Sequence, residues 1–175
     1  KYIMNKLVII VNGKGGVGKD TLCDAFSTEF KCSHISAITP IKSLAKLSIG
    51  WDNDKSLAGR KLLSDLKQAC IEYNELPTVY LLKEYLRFRE SDKQVLFVDI
   101  REATEIQKFK KLVTELKGTV VTLLITRDVI DFAEYGNDSD DLVSEYQYDV
   151  VYANNLPEEE SKQAFINLMK AHYFN

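Results

Sequence analysis

The chain has 175 residues, of which 45% are hydrophobic and 28% charged, and its formal net charge is −3. This length and apolar content predict a single domain over residues 4–175 with one sizeable core. The slight negative charge gives no general attraction to nucleic acid, which needs clustered lysines and arginines. No apolar run reaches the roughly 18 residues of a membrane span. We therefore expect a cytoplasmic protein with reduced cysteines and without a nucleic-acid or membrane partner.

The amino-terminal half begins with a continuous aliphatic run at residues 7–11, which ends at a glycine-rich loop and predicts a strand buried on both faces. Apolar residues at helical spacing over 20–30 follow directly, so this helix begins at the loop. A short strand is predicted at 34–38 and a helix at 40–47. Two consecutive helices, at 57–73 and 78–88, complete a helical insertion over about 41–90.

The carboxyl-terminal half alternates in the same way, with strands predicted at 95–98, 119–125 and 150–152 and helices at 102–116 and 157–174. The segment 128–146 is acidic and polar, which favours a mobile flap. Repeated strand-to-helix alternation predicts an α/β fold of three layers, a parallel sheet flanked by helices. In such sheets ligands bind at the carboxyl ends of the strands.

The loop between the first strand and first helix reads Gly-Lys-Gly-Gly-Val-Gly-Lys-Asp-Thr and matches the GxxxxGK pattern of a phosphate-binding P-loop. Its glycines let successive backbone N–H groups point at phosphate oxygens, and Lys19 reaches the β- and γ-phosphates. We therefore predict an ATP or GTP site formed by Gly13, Lys14, Gly15, Gly16, Val17, Gly18, Lys19, Asp20 and Thr21.

Two carboxylates are candidates for binding Mg²⁺. Asp20 occupies the position where most P-loops place a Ser or Thr hydroxyl on the ion. Its carboxylate can hold Mg²⁺, directly or through water, or it can simply cap the helix, and both interpretations remain open. Asp99 follows a buried strand, where it can orient the ion or accept a hydrogen bond from Arg101 or the loop. Glu102 and Glu105 are interpreted as acids that favour a helix first turn.

A nucleotide site that transfers a phosphoryl group would need cations around the moving phosphate in addition to the P-loop lysine. Arg60, Arg101 and Arg127 lie at the start of an insertion helix or at strand ends, where a guanidinium fork can grip a phosphate. Each can instead be a surface ion-pair partner. His34 and His172 stand alone, with no Ser, Cys or carboxylate constellation around them in sequence, so neither is predicted to be catalytic.

The Gly-Lys-Asp-Thr end of the loop resembles the phosphate loop of the phage-type deoxynucleoside monophosphate kinases, within the P-loop nucleoside monophosphate kinase superfamily. Five later segments resemble the family in the same order. Residues 58–66 resemble its substrate-side helix, 98–105 its Asp-x-Arg strand end, and 124–127 the strand leading into its lid. Residues 143–145 resemble its Ser-Glu motif and 149–155 its final strand. Two departures concern the lid: Arg127-Asp128 replaces Arg-Pro, and Leu142-Val143 stands where the family has a histidine.

The resemblance implies a P-loop kinase that uses Mg²⁺ and transfers the γ-phosphoryl group of ATP to a ribo- or deoxynucleoside monophosphate. It implies catalytic roles for Lys19, Asp99, Arg101 and Arg127 and acceptor binding by Arg60 and Arg101. Asp20 and Asp99 would hold the metal, and 128–146 would be a lid. The oligomeric state stays open, a homodimer included.

Three other functions fit parts of the sequence. Lys14 to Lys19 also match the deviant loop of MinD/ParA-type switch ATPases, in which Lys14 would reach across a dimer. Those proteins carry Ser or Thr after Gly-Lys, where this chain has Asp20. A catalytically silent nucleotide-dependent module and a P-loop kinase for a non-nucleotide phosphate are the remaining alternatives, and the fold alone does not separate them.

Overall fold

The structure is a computed structural model that describes residues 6–131 and 143–174. Its strands are β1 (Leu7–Asn12), β2 (Cys32–Ser36), β3 (Val95–Asp99), β4 (Thr119–Thr126) and β5 (Val150–Ala153). Its helices are α1 (Lys19–Phe26), α2 (Thr39–Leu44), α3 (Leu57–Asn74), α4 (Leu76–Glu90), α5 (Ala103–Glu115), α6 (Asp128–Asp131) and α7 (Glu158–Tyr173). A π-helical turn extends α2 over Ala45–Ile49.

The five strands form one parallel sheet in the order β2-β3-β1-β4-β5. Val11 lies opposite Asp99 on one side and Leu123 on the other, so the carboxyl ends of the three central strands meet at the same edge. The sheet confirms the predicted α/β architecture, and this edge is where a ligand binds in such folds.

Two apolar cores lie on opposite faces of the sheet. The helices that pack on these cores form the two outer layers of the fold, with the sheet between them. One face packs against α1 and α7, with Phe26, Phe97 and Phe165 fully buried. The other face packs against α4 and α5, through residues such as Leu81 and Phe109. The long α3 contacts α4 on the outer side of this layer. The predicted helical insertion therefore covers one face of the sheet.

Three predicted boundaries are wrong for identifiable reasons. Strand β2 spans Cys32–Ser36 and not 34–38, because its ladder with β3 starts where Cys32 pairs with Val95 and ends where Ser36 pairs with Asp99. Helix α1 ends at Phe26, four residues early, and the Phe30 ring then stacks on the Phe26 ring at 4.6 Å. Helix α4 begins at Leu76 and not at 78, since a proline is well suited to a first turn.

The predicted lid, 128–146, is described only at its two ends. Residues 128–131 form α6, and Val143–Glu145 form a 3₁₀ turn in which Val143 is buried. Residues 132–142 lie outside the described ranges, so the lid stays a prediction. Among residues 6–131 and 143–174, no helix combines the length and the hydropathy needed to cross a membrane.

Candidate active site

The predicted P-loop joins β1 to α1 at the carboxyl edge of the sheet. Gly16 and Gly18 have positive φ angles of 86° and 94°, and the first intrahelical bond of α1 runs from Leu22 N to Gly18 O over 3.1 Å. The Gly13 N–H donates to the Asn12 side-chain oxygen at 2.8 Å, which fixes where the loop leaves the strand. This backbone leaves the amino end of α1 directed at the loop, as an anion site requires.

Two loop glycines are required by close contacts. A Cβ at Gly13 would lie 2.5 Å from the Ile125 backbone oxygen, and φ at this residue is 151°. A Cβ at Gly18 would lie 2.5 Å from the Asn154 side-chain nitrogen. By contrast, a Cβ at Gly15 would meet nothing within 4 Å. The glycines of the motif therefore have different structural roles.

We expect Gly13→Ala to lower the free energy of unfolding by about 2–4 kcal/mol, because the new Cβ must displace the β4 backbone and adopt a strained φ. The matched control is Gly15→Ala, for which we expect a change within about 0.5 kcal/mol. Urea denaturation of both variants measures the difference. Equal stability of the two proteins would show that the loop shifts freely away from β4.

Asn154, which directly follows β5, holds the loop from two strands away in the sheet. Its Nδ2 donates to the Val17 backbone oxygen at 2.7 Å, and its own N–H donates to Thr126 O at 2.8 Å. Its side-chain oxygen is hydrogen-bonded to Ser161, whose Oγ lies 2.7 Å from the Tyr152 hydroxyl oxygen. Ser161 and Tyr152 are buried, so this network holds the loop against β5 and α7.

Asn12 performs a similar task at the end of β1. This buried side chain donates from Nδ2 to the Arg101 backbone oxygen and to the Tyr148 hydroxyl oxygen, both at 2.8 Å. The Tyr148 hydroxyl in turn donates to Val143 O at 2.6 Å, and burial raises its pKa to about 12. Tyr148 therefore stays neutral. Through its two hydrogen bonds, Asn12 connects the chain after β3 to the chain before β5.

Lys19 lies at the centre of the predicted site. Its ammonium group donates to the Gly13 backbone oxygen at 3.0 Å. Burial, followed by repulsion from Arg101, lowers the pKa of Lys19, and attraction to Asp99 and Asp20 opposes this shift. Two cations and two carboxylates, predicted from two separate segments of the sequence, thus interact electrostatically in the structure.

The sequence predicts no catalytic role for His34, but the structure places this residue beside the two carboxylates. Its Nε2 lies 3.0 Å from Asp99 Oδ2, and this hydrogen bond is the main cause of the raised pKa of His34. One ligand atom each from Asp20, His34 and Asp99 lie within 4.8 Å of one another. Asp99 Oδ1 is buried and meets no hydrogen-bond donor within the described part of the chain. Such an acceptor fits a bound cation, so the predicted Mg²⁺ ligands Asp20 and Asp99 suit the ion.

Arg127 lies in a small cavity on the other flank of the loop. The cavity has a volume of about 100 Å³ and is lined by Gly18, Thr21, Leu22, Arg127, Asn154, Leu156 and Glu158. The structure therefore groups Arg127 with the first turn of α1 and the segment between β5 and α7.

A larger cavity of about 380 Å³ lies between α3 and α5 and is lined by Ser64, Lys67, Gln68, Ile71, Glu102, Thr104, Glu105 and Lys108. Lys67 is only 7% exposed and pairs with Glu102, while Glu105 accepts hydrogen bonds from Thr78 and Lys108 at 3.0 Å. Glu102 and Glu105 thus connect α5 to the insertion helices α3 and α4. This contact is additional to the predicted stabilisation of the first turn of α5 by acidic residues. Arg60 Nε donates to Lys55 O at 3.1 Å, and Arg60 is not among the residues lining this cavity.

The P-loop, the parallel sheet and its strand order define the fold of the P-loop kinases. A presumed kinase from Chloroflexus aurantiacus shares 17% identity at a TM-score of 0.57, with 98% of this chain and 97% of that chain covered. The tunicamycin resistance protein of Deinococcus radiodurans shares 14% identity at a TM-score of 0.51 over 94% and 96% of the two chains. The APS kinase of Mycobacterium tuberculosis, in complex with AMPPNP and APS, shares 14% identity at a TM-score of 0.50 over 95% and 98%. No protein-family model and no curated protein matches the sequence.

Proposed function

We propose that this protein is an ATP-dependent phosphotransferase whose acceptor is itself a phosphate group, most specifically that of a ribo- or deoxynucleoside monophosphate. The observation that carries the proposal is that Lys19 and Arg101 follow two paired strand ends: Val11 lies opposite Asp99, and Asn12 donates to the Arg101 backbone oxygen at 2.8 Å while Lys19 donates to the Gly13 oxygen at 3.0 Å. Repulsion between these two cations also lowers the pKa of Lys19. Two neighbouring positive groups are useful where two phosphates meet, and phosphoryl transfer is catalysed mainly by such charge stabilisation.

Each charged group has a distinct task in this proposal. The loop amides and Lys19 hold the β- and γ-phosphates of the donor, and Arg101 faces the incoming acceptor phosphate. Asp20 and Asp99 hold Mg²⁺, which when bound neutralises developing charge on the phosphate oxygens. Asn12 positions Arg101 by fixing its backbone oxygen. Proximity and alignment of the two phosphates then supply much of the rate enhancement.

The cavity between α3 and α5 is the proposed acceptor site. One of its lining residues, Glu102, directly follows Arg101 in the chain. The cavity volume of about 380 Å³ lies within the range typical of small-molecule pockets. Its polar lining offers a buried lysine and an amide, Lys67 and Gln68, for reading the rest of the acceptor. We retain Arg60 as a candidate that reaches the acceptor only once the site is filled.

The remaining parts of the proposal concern the domain and its lid. Residues 4–175 form one domain, with the insertion at about 41–90 as its acceptor side. The segment 128–146 closes over the phosphates when both substrates are bound, which excludes water from a group otherwise lost to hydrolysis. Arg127 directly precedes this segment.

A coupled assay with ATP and Mg²⁺ tests the acceptor class. We expect turnover with at least one ribo- or deoxynucleoside monophosphate, in the range of about 1–100 s⁻¹ usual for kinases. The panel also contains GTP as donor, phosphorylated non-nucleotides and unphosphorylated alcohols. Turnover restricted to phosphorylated non-nucleotides would correct the acceptor, and turnover restricted to alcohols would contradict the role given to Arg101.

Arg127→Ala separates two roles for this arginine. A catalytic role on lid closure predicts a fall in kcat of about 10²-fold with little change in KM for ATP. If Arg127 instead contacts bound ATP in the small cavity beside Gly18, its loss should raise the KM for ATP and leave kcat nearly constant. Steady-state kinetics decide between them, and Arg87→Ala, which removes an exposed arginine paired with Glu84, is the matched control.

A further inference from the structure

His34 lies at a point where three separate elements converge on one small volume. It projects from β2, while Asp99 ends β3 and Asp20 stands in the first turn of α1. The pairing of Ser36 with Asp99 in the parallel ladder sets the distance from His34 to the β3 carboxylate. One ligand atom from each residue falls within 4.8 Å of the other two, a spread that a single metal ion can bridge.

The cluster is both ordered and open. The His34 ring packs edge-on against Phe97 at 5.9 Å between centroids, which limits how the imidazole can rotate. The side chains of His34 and Asp99 are 25% and 23% exposed, so an ion can enter from solvent.

The donor set differs from that of an ordinary Mg²⁺ site. Mg²⁺ prefers oxygen ligands and keeps several waters, whereas imidazole nitrogen suits first-row transition metals such as Zn²⁺ and Co²⁺. The buried Asp99 Oδ1, which no donor reaches among residues 6–131 and 143–174, leaves this carboxylate with coordinating capacity beyond its bond to His34.

We propose that, in the nucleotide-free protein, Asp20, His34 and Asp99 form a three-ligand site that binds a first-row transition-metal dication, of the Zn²⁺ or Co²⁺ type, in preference to Mg²⁺. In the proposed function, Asp20 and Asp99 bind Mg²⁺ only together with the nucleotide phosphates. His34 supplies the nitrogen ligand, and the site binds the ion in the absence of nucleotide. Three protein ligands leave at least one coordination position for water or a phosphate oxygen. The inference does not depend on the identity of the phosphoryl acceptor.

Metal titration of the untagged, nucleotide-free full chain tests the site. Isothermal titration calorimetry with Zn²⁺, Co²⁺ and Mg²⁺ gives affinity and stoichiometry, and the visible absorption of bound Co²⁺ reports its ligand field. We expect one Zn²⁺ or Co²⁺ per chain, bound at least about 10²-fold more tightly than Mg²⁺. His34→Asn should weaken Zn²⁺ and Co²⁺ binding by about 10–100-fold, alter the Co²⁺ spectrum, and leave Mg²⁺ affinity within about 2-fold.

His172→Asn is the matched control, because His172 is the chain's other histidine, on α7, where it contacts only the Leu168 backbone oxygen and the Tyr173 ring among the contacts found for it. It should bind every ion as the unmodified protein does. If His34→Asn retains full Zn²⁺ affinity and the original Co²⁺ spectrum, the proposal is wrong. An equal loss for Mg²⁺ and Zn²⁺ would also overturn it, because His34 would then only position Asp99. Circular dichroism checks folding, and His34→Gln replaces any variant that does not fold.

Discussion

Lys19→Ala should lower kcat for phosphoryl transfer by about 10³-fold, the largest effect we expect from any single substitution. Its ammonium group is already bonded to the Gly13 oxygen and enclosed by the loop, so the cation needs no reorganisation when the phosphates arrive. Loss of a preorganised charge of this kind reduces transition-state stabilisation directly. Turnover measured by the coupled assay, together with thermal unfolding, gives the result.

Lys61→Ala is the control for this variant, because Lys61 is an exposed lysine of α3 paired only with Asp65 among the contacts found for it. We expect its turnover and melting temperature to match those of the unmodified protein. A folded Lys19→Ala protein that keeps near-normal turnover would remove Lys19 from the mechanism. Because burial disfavours its charge, Lys19→Ala should leave the stability unchanged or slightly higher.

Arg101→Ala should reduce kcat/KM for the acceptor by about 10²–10³-fold while donor binding changes little, since Arg101 faces the acceptor phosphate in the proposed function. Arg101→Lys keeps the charge and loses the planar fork, so we expect only partial recovery. Acceptor and donor KM values, each measured with the other substrate saturating, separate the two effects.

The control is Arg89→Ala, which removes another arginine, near the end of α4, whose guanidinium lies 5.9 Å from the Tyr85 ring centroid. It should leave both KM values unchanged. A uniform rise in KM for donor and acceptor would instead place Arg101 on the donor phosphates. The Arg101 backbone oxygen still accepts from Asn12 in either variant, so the loop geometry is preserved.

The parts of the fold that could be predicted from sequence are those fixed by local spacing. The aliphatic run before Gly13 and the glycines after it specify strand, loop and helix within about 20 residues. A parallel sheet brings the carboxyl ends of its strands to one edge, which is how Asp99 and Arg101 could be predicted to lie at the same edge as the phosphate loop. These inferences need no knowledge of side-chain packing.

The partners of Asn12, His34 and Asn154 could not be predicted, because each depends on register between distant segments. Asn12 and Arg101 are 89 positions apart, and His34 and Asp99 are 65 positions apart. An error of two residues in β2, as in the predicted strand at 34–38, is enough to lose the second contact. An asparagine next to a P-loop also does not indicate a hydrogen-bond partner from the sequence alone, since asparagines are common in loops.

The bond from Asn154 to Val17 has a consequence for synthesis of the chain. The phosphate loop lies near the amino end, but its fastening comes from a residue 137 positions later, itself held by Ser161 of α7. On the ribosome the loop emerges long before these residues, while domains acquire their contacts as units. We therefore expect nascent chains that end before Asn154 to bind nucleotide weakly, and affinity to rise only when the last strand and helix have left the exit tunnel.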